Sequence, residues 1–481
     1  MTSPTLFEEA HAELHTLLEA CDADRASRGP GPFAASGGAA PVHTVVGGAH
    51  LFRRGTAARL GALALAALDT HAPDAFTFAE ALGLAGTDAW PSDPAVRAAW
   101  TTRFSEDPRG LAAESRAAWL ALSVHARVRA KLAFEPVEDY RIDFEDGFGI
   151  RSDAEERDAA ESAAVEVVGG QRDGTLPRGL GIRVKALCPE SVARSVATLE
   201  TFVDTLVRLG GRVPEGFVVT LPKVELPEQP RTLARLLARL EHRHGLDAGA
   251  LGLELMIELT RAVIAADGTA ALPRLLAASG GRCRAVHFGT YDYTAACEVT
   301  AAHQTMAHPL ARFALHVTQN VVAGTHVRLS DGATNLMPVG PTAQVHAAWS
   351  TMYRHVRGSL SEGIHQGWDL HPAQLPVRFA AHHALCLEGL DASTARLRHF
   401  LERAAQASLL GDVFDDAATG QGLLNHFLRG RSCGALSEAE LADAGLTEAE
   451  LRTRSFAAIL ASRRAAAGRD AGKGPSSRQT R

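Results

Sequence analysis

Short segments of β-forming residues alternate with longer helical stretches over most of this chain, and this alternation is the strongest constraint on its fold. Strands that alternate with helices are typical of parallel sheets in which each helix crosses back over the sheet. Eight such units predict an α/β protein whose strands close into a (β/α)8 barrel, the TIM-barrel fold, rather than an open sheet. The candidate strands are His43–Val46, Tyr140–Phe144, Gly181–Ala186, Phe217–Leu221, Gly252–Ile257, Ala285–Phe288, Thr325–Leu329 and Gln366–Leu370.

The intervals between the candidate strands divide the chain into unequal parts. We expect an N-terminal helix and linker in residues 1–42 and the barrel in residues 43–390. About 90 residues separate the first two strands, so we predict a helical insertion in residues 71–137. Residues 391–464 have helical patterns and are interpreted as a lid or oligomerisation region, whereas residues 465–481 are expected to form a disordered basic tail.

Charge and composition exclude several classes of protein. The 481 residues include 49 Lys+Arg and 55 Asp+Glu, a formal net charge of −6, which argues against binding of nucleic acid through phosphate neutralisation. No apolar run approaches the roughly 18–20 residues that cross a bilayer, and acidic side chains occupy the N-terminal position where a signal peptide is basic. The six Cys residues are scattered without a CxxC pair, which is typical of a cytoplasmic protein and argues against a metal site built from Cys.

Three acidic residues follow the second candidate strand, at the end where barrel enzymes carry their catalytic side chains. Asp143 and Glu145 lie on one face of the strand because side chains alternate, and Asp146 begins a loop flanked by Gly. Three carboxylates at one strand end repel each other unless a cation or an Arg lies among them. We therefore predict that they belong to a functional site; the alternative is a solvated loop.

Basic residues end the third and fourth candidate strands. Arg183 and Lys185 share one face of the third strand, and Lys223 follows the fourth. The planar guanidinium group of Arg183 is suited to binding a substrate carboxylate with two hydrogen bonds. The alternative for Arg183 is an internal ion pair with the acids of the second strand. Lys223 is expected either at the same barrel mouth or on the protein surface.

A candidate metal site lies at the ends of the fifth and sixth strands. Glu258 follows an apolar strand and Asp292 follows the next strand, one β/α unit later, so the two carboxylates should project from neighbouring strand ends. Two carboxylates with room for water and a bidentate substrate are the usual protein ligands of Mg²⁺. The alternative is that both residues form structural salt bridges. The pairs His303/His308 and His382/His383 lack the i, i+4 spacing of a helical metal site, and nearly all of the 21 His residues are interpreted as core or surface residues. The sequence also has no phosphate-binding glycine loop.

Six short segments occur in the order and spacing of a known superfamily. They are DFEDGF (143–148), IRVKAL (182–187), LPKVE (221–225), MIEL (256–259), FGTYDYT (288–294) and GWDLHPAQL (367–375). Together they resemble motifs of the HpcH/HpaI aldolase and citrate lyase β-subunit superfamily, which includes malyl-CoA lyases. The resemblance covers residues 43 to about 425 without the insertion, and it implies a TIM-barrel enzyme that cleaves or forms carbon–carbon bonds.

This resemblance implies roles for individual residues. Glu258 and Asp292 would bind Mg²⁺, with Mn²⁺ as an alternative, and Arg183 would bind the substrate. Asp415, in a segment similar to a G-x-M-I-D-x-P motif, would act as an acid/base group in the site of a neighbouring subunit, which implies a homo-oligomer. The further candidates are Asp146 as a catalytic residue, Lys223, Gly289 and Thr290 for substrate binding, and Asp143, Glu145 and His371 as supporting residues.

We therefore predict a Mg²⁺-dependent carbon–carbon bond lyase or aldolase. Its substrate would be a small oxo- or hydroxy-acid, free or as a CoA thioester, and the reaction would pass through an enolate. One alternative is a phosphoenolpyruvate-type phosphoryl-transfer enzyme on the same barrel, and another is a non-catalytic barrel that serves as a scaffold. Neither a nucleic acid nor a membrane is expected among its partners.

Overall fold

Eight parallel strands form one sheet in the computed structural model, which describes residues 40–91, 93–406 and 417–471. The strands pair in the order β7-β6-β5-β4-β3-β2-β1-β8. Between β7 and β8, Ser330 bridges to Gln366, and the Asp331 N–H donates to the Gln366 carbonyl at 2.8 Å, so the sheet is nearly closed. The predicted (β/α)8 barrel is confirmed. The strands are β1 (His43–Gly48), β2 (Asp139–Asp143), β3 (Gly179–Arg183), β4 (Val218–Leu221), β5 (Gly252–Ile257), β6 (Cys283–Phe288), β7 (Arg328–Ser330) and β8 (Gly367–Asp369).

Nineteen α-helices accompany the strands in the described residues. Helices α1–α5 lie between β1 and β2, and none of the described helices combines the length and the apolar character that a bilayer-crossing helix requires. The helices are α1 (Thr56–His71), α2 (Ala75–Leu82), α3 (Pro94–Glu106), α4 (Pro108–Glu114), α5 (Arg116–Phe134), α6 (Asp153–Asp173), α7 (Val192–Gly210), α8 (Glu228–His244), α9 (Thr260–Val263), α10 (Leu272–Ala278), α11 (Thr290–Ala296), α12 (Pro309–Val322), α13 (Thr342–Ser361), α14 (Leu375–Glu388), α15 (Leu390–Gln406), α16 (Ala417–Ser432), α17 (Glu438–Asp443), α18 (Glu448–Thr453) and α19 (Phe456–Ala471).

Some predictions concern residues outside the described ranges. They include most of the N-terminal helix and linker predicted for residues 1–42, and Asp415. The end of the predicted tail, residues 472–481, also lies outside these ranges. Helix α19 extends to Ala471, so the predicted tail begins within a helix.

The chain divides into two compact units, each assembled from separate parts of the sequence. The first unit contains all eight strands and comprises the residues up to Leu60, Val137–Asn335 and Ser361–Leu370. The second unit is helical in its described residues, and in it α5 packs against α2, α4 and α14. It comprises Gly61–Pro136, Leu336–Leu360 and the residues from His371 onward. Every described candidate site residue except His371 belongs to the first unit.

The loop that follows β2 is anchored by the start of helix α6. Ser152 and Glu155 form a capping box, in which the Glu155 N–H donates to Ser152 Oγ at 3.3 Å and the Ser152 N–H donates to Glu155 Oε2 at 2.8 Å. Such a box satisfies backbone donors that the first helical turn leaves without partners. The loop between Asp143 and Ser152 is therefore held at both ends at the barrel mouth.

A group of charged side chains fills the barrel interior. Arg141, buried on β2, donates to Glu254 at 2.7 and 2.8 Å and to Asp139 at 2.5 and 3.0 Å. The Thr220 hydroxyl donates to Glu254 Oε2 at 2.9 Å, and His287 Nε2 lies 3.2 Å from the same oxygen. Buried charges are tolerated when they are paired and hydrogen-bonded. This interior network joins β2, β4, β5 and β6 beneath the barrel mouth.

We expect Arg141→Met to destabilise the protein by about 3–5 kcal/mol, because it leaves the buried charges of Asp139 and Glu254 without their main partner. Chemical unfolding followed by circular dichroism measures this change. Arg208→Met is the control, since Arg208 forms a solvent-exposed pair with Glu161 at 3.3 Å. Loss of an exposed pair changes stability by less than about 1 kcal/mol. Equal effects of the two substitutions would contradict the stabilising role of the interior network.

Candidate active site

Asp143, the last residue of β2, organises the barrel mouth at the carboxyl ends of the strands. Its two carboxylate oxygens accept hydrogen bonds from Arg183 Nε and Nη2 at 2.7 and 2.6 Å. They also accept the backbone N–H groups of Glu145 at 3.0 Å and Gly147 at 2.6 Å. A Cβ atom on residue 147 would lie 2.7 Å from Asp143 Oδ2, so this close approach requires Gly. Asp143 therefore fixes both the loop after β2 and the Arg at the end of β3.

Arg183, the last residue of β3, is buried among acidic side chains. Asp143 binds its Nε and Nη2 atoms, whereas Nη1 lies 2.8 Å from Glu145 Oε2 and 3.5 Å from Asp146 Oδ2. The internal ion pair that was one alternative for Arg183 is thus present. The Asp146 side chain is 63% exposed, so Nη1 is the guanidinium nitrogen that faces the solvent-accessible part of the loop.

Lys223 lies among carboxylates from three strand ends. Its Nζ atom is 2.6 Å from Asp292 Oδ2, 3.5 Å from Glu258 Oε2 and 3.9 Å from Glu145 Oε1. Its backbone has a φ of 51°, which is uncommon for a residue other than Gly, and its N–H donates to Glu258 Oε1 at 2.6 Å. Of the two positions considered for Lys223, the structure places it at the barrel mouth, with 26% of the side chain exposed.

Glu258 and Asp292 approach the same point from neighbouring strand ends. Glu258 follows β5 and is buried, whereas Asp292, in the first turn of α11 after β6, has 46% of its side chain exposed. Gly289 permits this packing, because a Cβ atom there would lie 2.5 Å from the Cβ of Glu258. Thr290 is buried, and its hydroxyl oxygen has no hydrogen-bond partner in the described part of the chain. The four predicted site residues therefore lie at the same barrel mouth: Glu258, Asp292, Gly289 and Thr290.

Burial changes the proton affinity of the side chains at this mouth. Burial raises the pKa of Glu258 to about 7, although the attraction of Lys223 opposes this rise. Burial likewise raises the pKa of Glu145 to about 8, against the attraction of Arg183. Burial alone would lower the pKa of Lys223, but the attraction of Glu258 and the other carboxylates outweighs it and the pKa is raised. The barrel mouth therefore carries more acidic side chains than its two described cationic side chains, Arg183 and Lys223, neutralise.

The ligand atoms at this mouth fit a hard divalent cation. No three His, Cys, Asp or Glu side chains form a ready-made metal site anywhere in the described ranges. Mg²⁺, however, is usually held by one or two carboxylates, with water and substrate oxygens as the other ligands. Glu258 and Asp292 supply two carboxylates, and the ammonium group of Lys223 already lies within ion-pair distance of both. The arrangement is therefore suited to hold a cation.

Two predicted site residues are not placed in this cluster. His371 belongs to the second unit, where its Nδ1 atom accepts the Ala373 N–H at 3.2 Å and caps a short 3-10 helix. Asp415 lies outside the described residues. The acid/base role of Asp415 and the supporting role of His371 stay predictions.

Sequence reasoning missed the aromatic residue that contacts Arg183. Arg183 lies over the ring of Trp368 on β8, with its Cζ atom 5.5 Å from the ring centroid. The indole N–H of Trp368 donates to His287 Nδ1 at 2.5 Å, and His287 belongs to the interior network. The available signal was a Trp and a His inside two candidate strands, positions at which barrels usually carry aliphatic residues.

A comparison with family models identifies the family of this chain. The model described as a domain of unknown function, DUF6986, matches residues 18–459. The chain therefore belongs to the DUF6986 family. A comparison with curated proteins gives no match.

Solved structures with some similarity to this chain include a malate synthase and a protein of another family. Malate synthase of Haloferax volcanii in a ternary complex with pyruvate and acetyl-CoA is 18% identical, with 51% of this chain and 61% of that chain covered and a TM-score of 0.38. The magnesium/glyoxylate complex of the same enzyme is 16% identical, with 68% and 88% covered and a TM-score of 0.40. An HpcH/HpaI aldolase/citrate lyase family protein from Burkholderia cenocepacia J2315 is 15% identical, with 55% and 89% covered and a TM-score of 0.32.

The raised pKa values at the mouth predict how stability depends on pH without divalent cations. A carboxyl group whose pKa is higher in the folded state favours folding at low pH, and this contribution is lost as the pH rises. For Glu145 the loss extends from pH 4.5 to about 8. We therefore expect the melting temperature in a chelator to fall over this range, and Glu145→Gln to reduce the fall because an amide does not ionise. The exposed Glu225→Gln should leave the fall unchanged, and equal pH profiles for wild type and Glu145→Gln would contradict the prediction.

Proposed function

We propose that this member of the DUF6986 family is a Mg²⁺-dependent carbon–carbon bond lyase or aldolase that acts on a small oxo- or hydroxy-acid. The observation that carries the proposal is the convergence of Glu258, Asp292 and Glu145 on one cationic position at the barrel mouth. Cleavage of a carbon–carbon bond beside a carbonyl group develops negative charge on the carbonyl oxygen, which a nearby cation stabilises. A substrate carboxylate in turn requires a donor such as an Arg. Arg183 and the acidic cluster are adjacent, which supports this chemistry.

Glu258 and Asp292 are the residues that would hold the metal ion. Two carboxylates leave positions on Mg²⁺ for water and for two substrate oxygens. Bound there, Mg²⁺ would supply Lewis-acid stabilisation of the negative charge that develops on the substrate. Glu145, whose Oε1 atom lies 3.9 Å from Lys223 Nζ, adds negative charge that favours a cation at this position.

Arg183 would bind the substrate carboxylate through Nη1. Asp143 engages Nε and Nη2, so these two donors orient the guanidinium group. Nη1 contacts Glu145 and Asp146, and a substrate carboxylate would replace them as its partner. The buried Thr290 hydroxyl, which lacks a hydrogen-bond partner within the described ranges, would donate to a second substrate oxygen.

Proton transfer requires a titratable group at the substrate carbon. Asp146 is proposed for this role within the same chain, because its exposed carboxylate lies at the mouth, 3.5 Å from Arg183 Nη1. The resemblance to malyl-CoA lyases favours Asp415 of a neighbouring subunit as the alternative. The assignment to Asp415 requires a homo-oligomer, whereas the assignment to Asp146 does not.

Glu258→Gln should abolish Mg²⁺ binding and lower turnover by about 100-fold or more, because it removes the charge of one of two metal ligands. In the wild type, Mg²⁺ at about 100 times its Kd should add about 2.7 kcal/mol to the free energy of unfolding. The melting temperature with and without Mg²⁺ measures this binding. A screen of 2-oxo acids, hydroxy acids and acyl-CoAs then measures carbonyl product released by each protein.

Glu225→Gln is the matched control for Glu258→Gln. Glu225 lies in the loop after β4 at the same end of the barrel, but it is exposed, so this variant should keep both the Mg²⁺ effect and the turnover. Full Mg²⁺-dependent turnover in Glu258→Gln would refute the metal assignment. If neither Mg²⁺ nor a 2-oxo acid changes the wild-type melting temperature, the barrel is better described as a scaffold. Phosphate release from a phosphoenolpyruvate-like substrate would instead favour phosphoryl transfer.

Lys223→Met should bind Mg²⁺ about 10-fold more tightly than the wild type, because the ammonium group competes with a metal ion for the same carboxylates. Without Mg²⁺ the variant should melt at a lower temperature, since the carboxylates of Glu145, Glu258 and Asp292 then repel each other. Titration calorimetry with Mg²⁺ measures the affinity. Lys223→Arg keeps the charge and should bind Mg²⁺ nearly as the wild type does; equal affinity in Lys223→Met would show that the ammonium does not compete.

A further inference from the structure

Trp368 occupies a constrained position inside the barrel, next to the proposed substrate-binding Arg. It lies in the middle of β8, opposite Thr44 of β1, and only 7% of the residue is exposed. Met256 and Ala333 are packed with it in one apolar cluster. A buried Trp of this kind fills space in many cores, so its packing alone assigns no role beyond stability.

Two polar contacts of Trp368 go beyond filling space. Arg183 lies over the aromatic ring, with Cζ 5.5 Å from the centroid, and the indole N–H donates to His287 Nδ1 at 2.5 Å. A guanidinium group within about 6 Å of an aromatic face is attracted by the electrons of the ring. The same side chain therefore contacts the proposed site through its ring and the barrel interior through its N–H.

The hydrogen bond to His287 restrains the indole, and the other ring nitrogen of His287 lies close to Glu254. Since Nδ1 accepts the proton of Trp368, the remaining His287 proton lies on Nε2, which is 3.2 Å from Glu254 Oε2. Glu254 is in turn bound by Arg141 and Thr220. The indole is thus connected through His287 to the charged network of the barrel interior.

Asp143 and Trp368 restrict Arg183 in different ways. The two hydrogen bonds that Arg183 donates to Asp143 lie along one side of the guanidinium group and fix its position within its own plane. They do not prevent the plane from tilting about that side. Arg183 Cζ lies over the ring of Trp368, 5.5 Å from its centroid, and the attraction between the cation and the ring opposes such a tilt.

We propose that Trp368 is a positioning residue, whose indole keeps Nη1 of Arg183 directed at the carboxylate of the substrate. Binding groups must be held to within about 0.5 Å of their working geometry, which requires support from residues behind them. The inference deepens the proposed function and rests on it, since it assumes that Arg183 binds a carboxylate. It adds a residue that contacts neither the metal position nor the reacting atoms.

Fluorescence offers a direct readout of this contact. Of the five Trp residues, Trp368 is the one in the first unit, and Trp90, Trp100, Trp119 and Trp349 belong to the second. The difference between wild-type and Trp368→Phe emission therefore isolates the signal of Trp368. Arg183→Met should change this signal without any ligand, because it removes the cation over the ring. An unchanged signal would overturn the proposal.

Oxalate with Mg²⁺ is the probe for substrate binding, because it carries two adjacent carboxylates like the oxygens of a 2-oxo acid. Trp368→Leu should weaken the affinity for oxalate about 10-fold and leave the affinity for Mg²⁺ alone unchanged. Trp368→Phe keeps an aromatic face and should restore most of the oxalate affinity. Trp100→Phe, in the second unit, is the control and should bind both as the wild type does.

The outcomes separate a positioning role from a structural role. If Trp368→Leu loses affinity for oxalate and for Mg²⁺ equally, the residue acts through stability and the proposal is overturned. If Trp368→Leu binds oxalate as the wild type does, the inference is wrong while the proposed function stands. If the wild type binds neither Mg²⁺ nor oxalate, the proposed function fails and takes this inference with it.

Discussion

Pairing of buried charges across adjacent strands is the constraint on which the barrel and its mouth depend. Asp143 of β2 lies opposite Arg183 of β3 in the parallel register, and the two side chains share two hydrogen bonds. Deeper in the barrel, Arg141 binds Glu254 in the same bidentate way. A shift of one residue along a strand would turn one member of each pair to the opposite face of the sheet. The strand register and the geometry of the site are therefore set by the same contacts.

The barrel interior and its mouth differ in how completely their charges are balanced. In the interior, Arg141 and His287 both lie against Glu254, and the pKa of this carboxyl is held well below its ordinary value despite its burial. At the mouth, burial dominates instead and raises the pKa values of Glu145 and Glu258. Strongly perturbed carboxyl groups in one cleft are a feature of functional sites. The excess of acidic side chains at the mouth is the feature on which the proposed cation site rests.

The order of the barrel strands could be predicted from the sequence, whereas most contacts between their side chains could not. Strand β5 begins and ends at the predicted residues Gly252 and Ile257, because periodic apolar residues and strand-end acids are local signals. The choice between an ion pair and a free donor for Arg183 required the distance between two strands, which no local pattern contains. The contact between Arg183 and Trp368 joins residues far apart in the chain and was not foreseen. For Lys223 the sequence left two positions open, and the left-handed backbone that brings this residue among the acids is not visible in a local pattern.

The last strand of the barrel pairs with the first, although most of the sequence lies between them. Asp369 of β8 contacts His43 of β1 over 326 positions of the chain. During synthesis on the ribosome, β1 can pair with β2 early, but its other edge stays open until residue 369 has emerged. Strands β2–β6, which carry the acidic cluster, are complete by then, whereas Trp368 arrives with β8. In a nascent chain, the contact between Trp368 and Arg183 consequently forms only after the strands that carry the acidic cluster are complete.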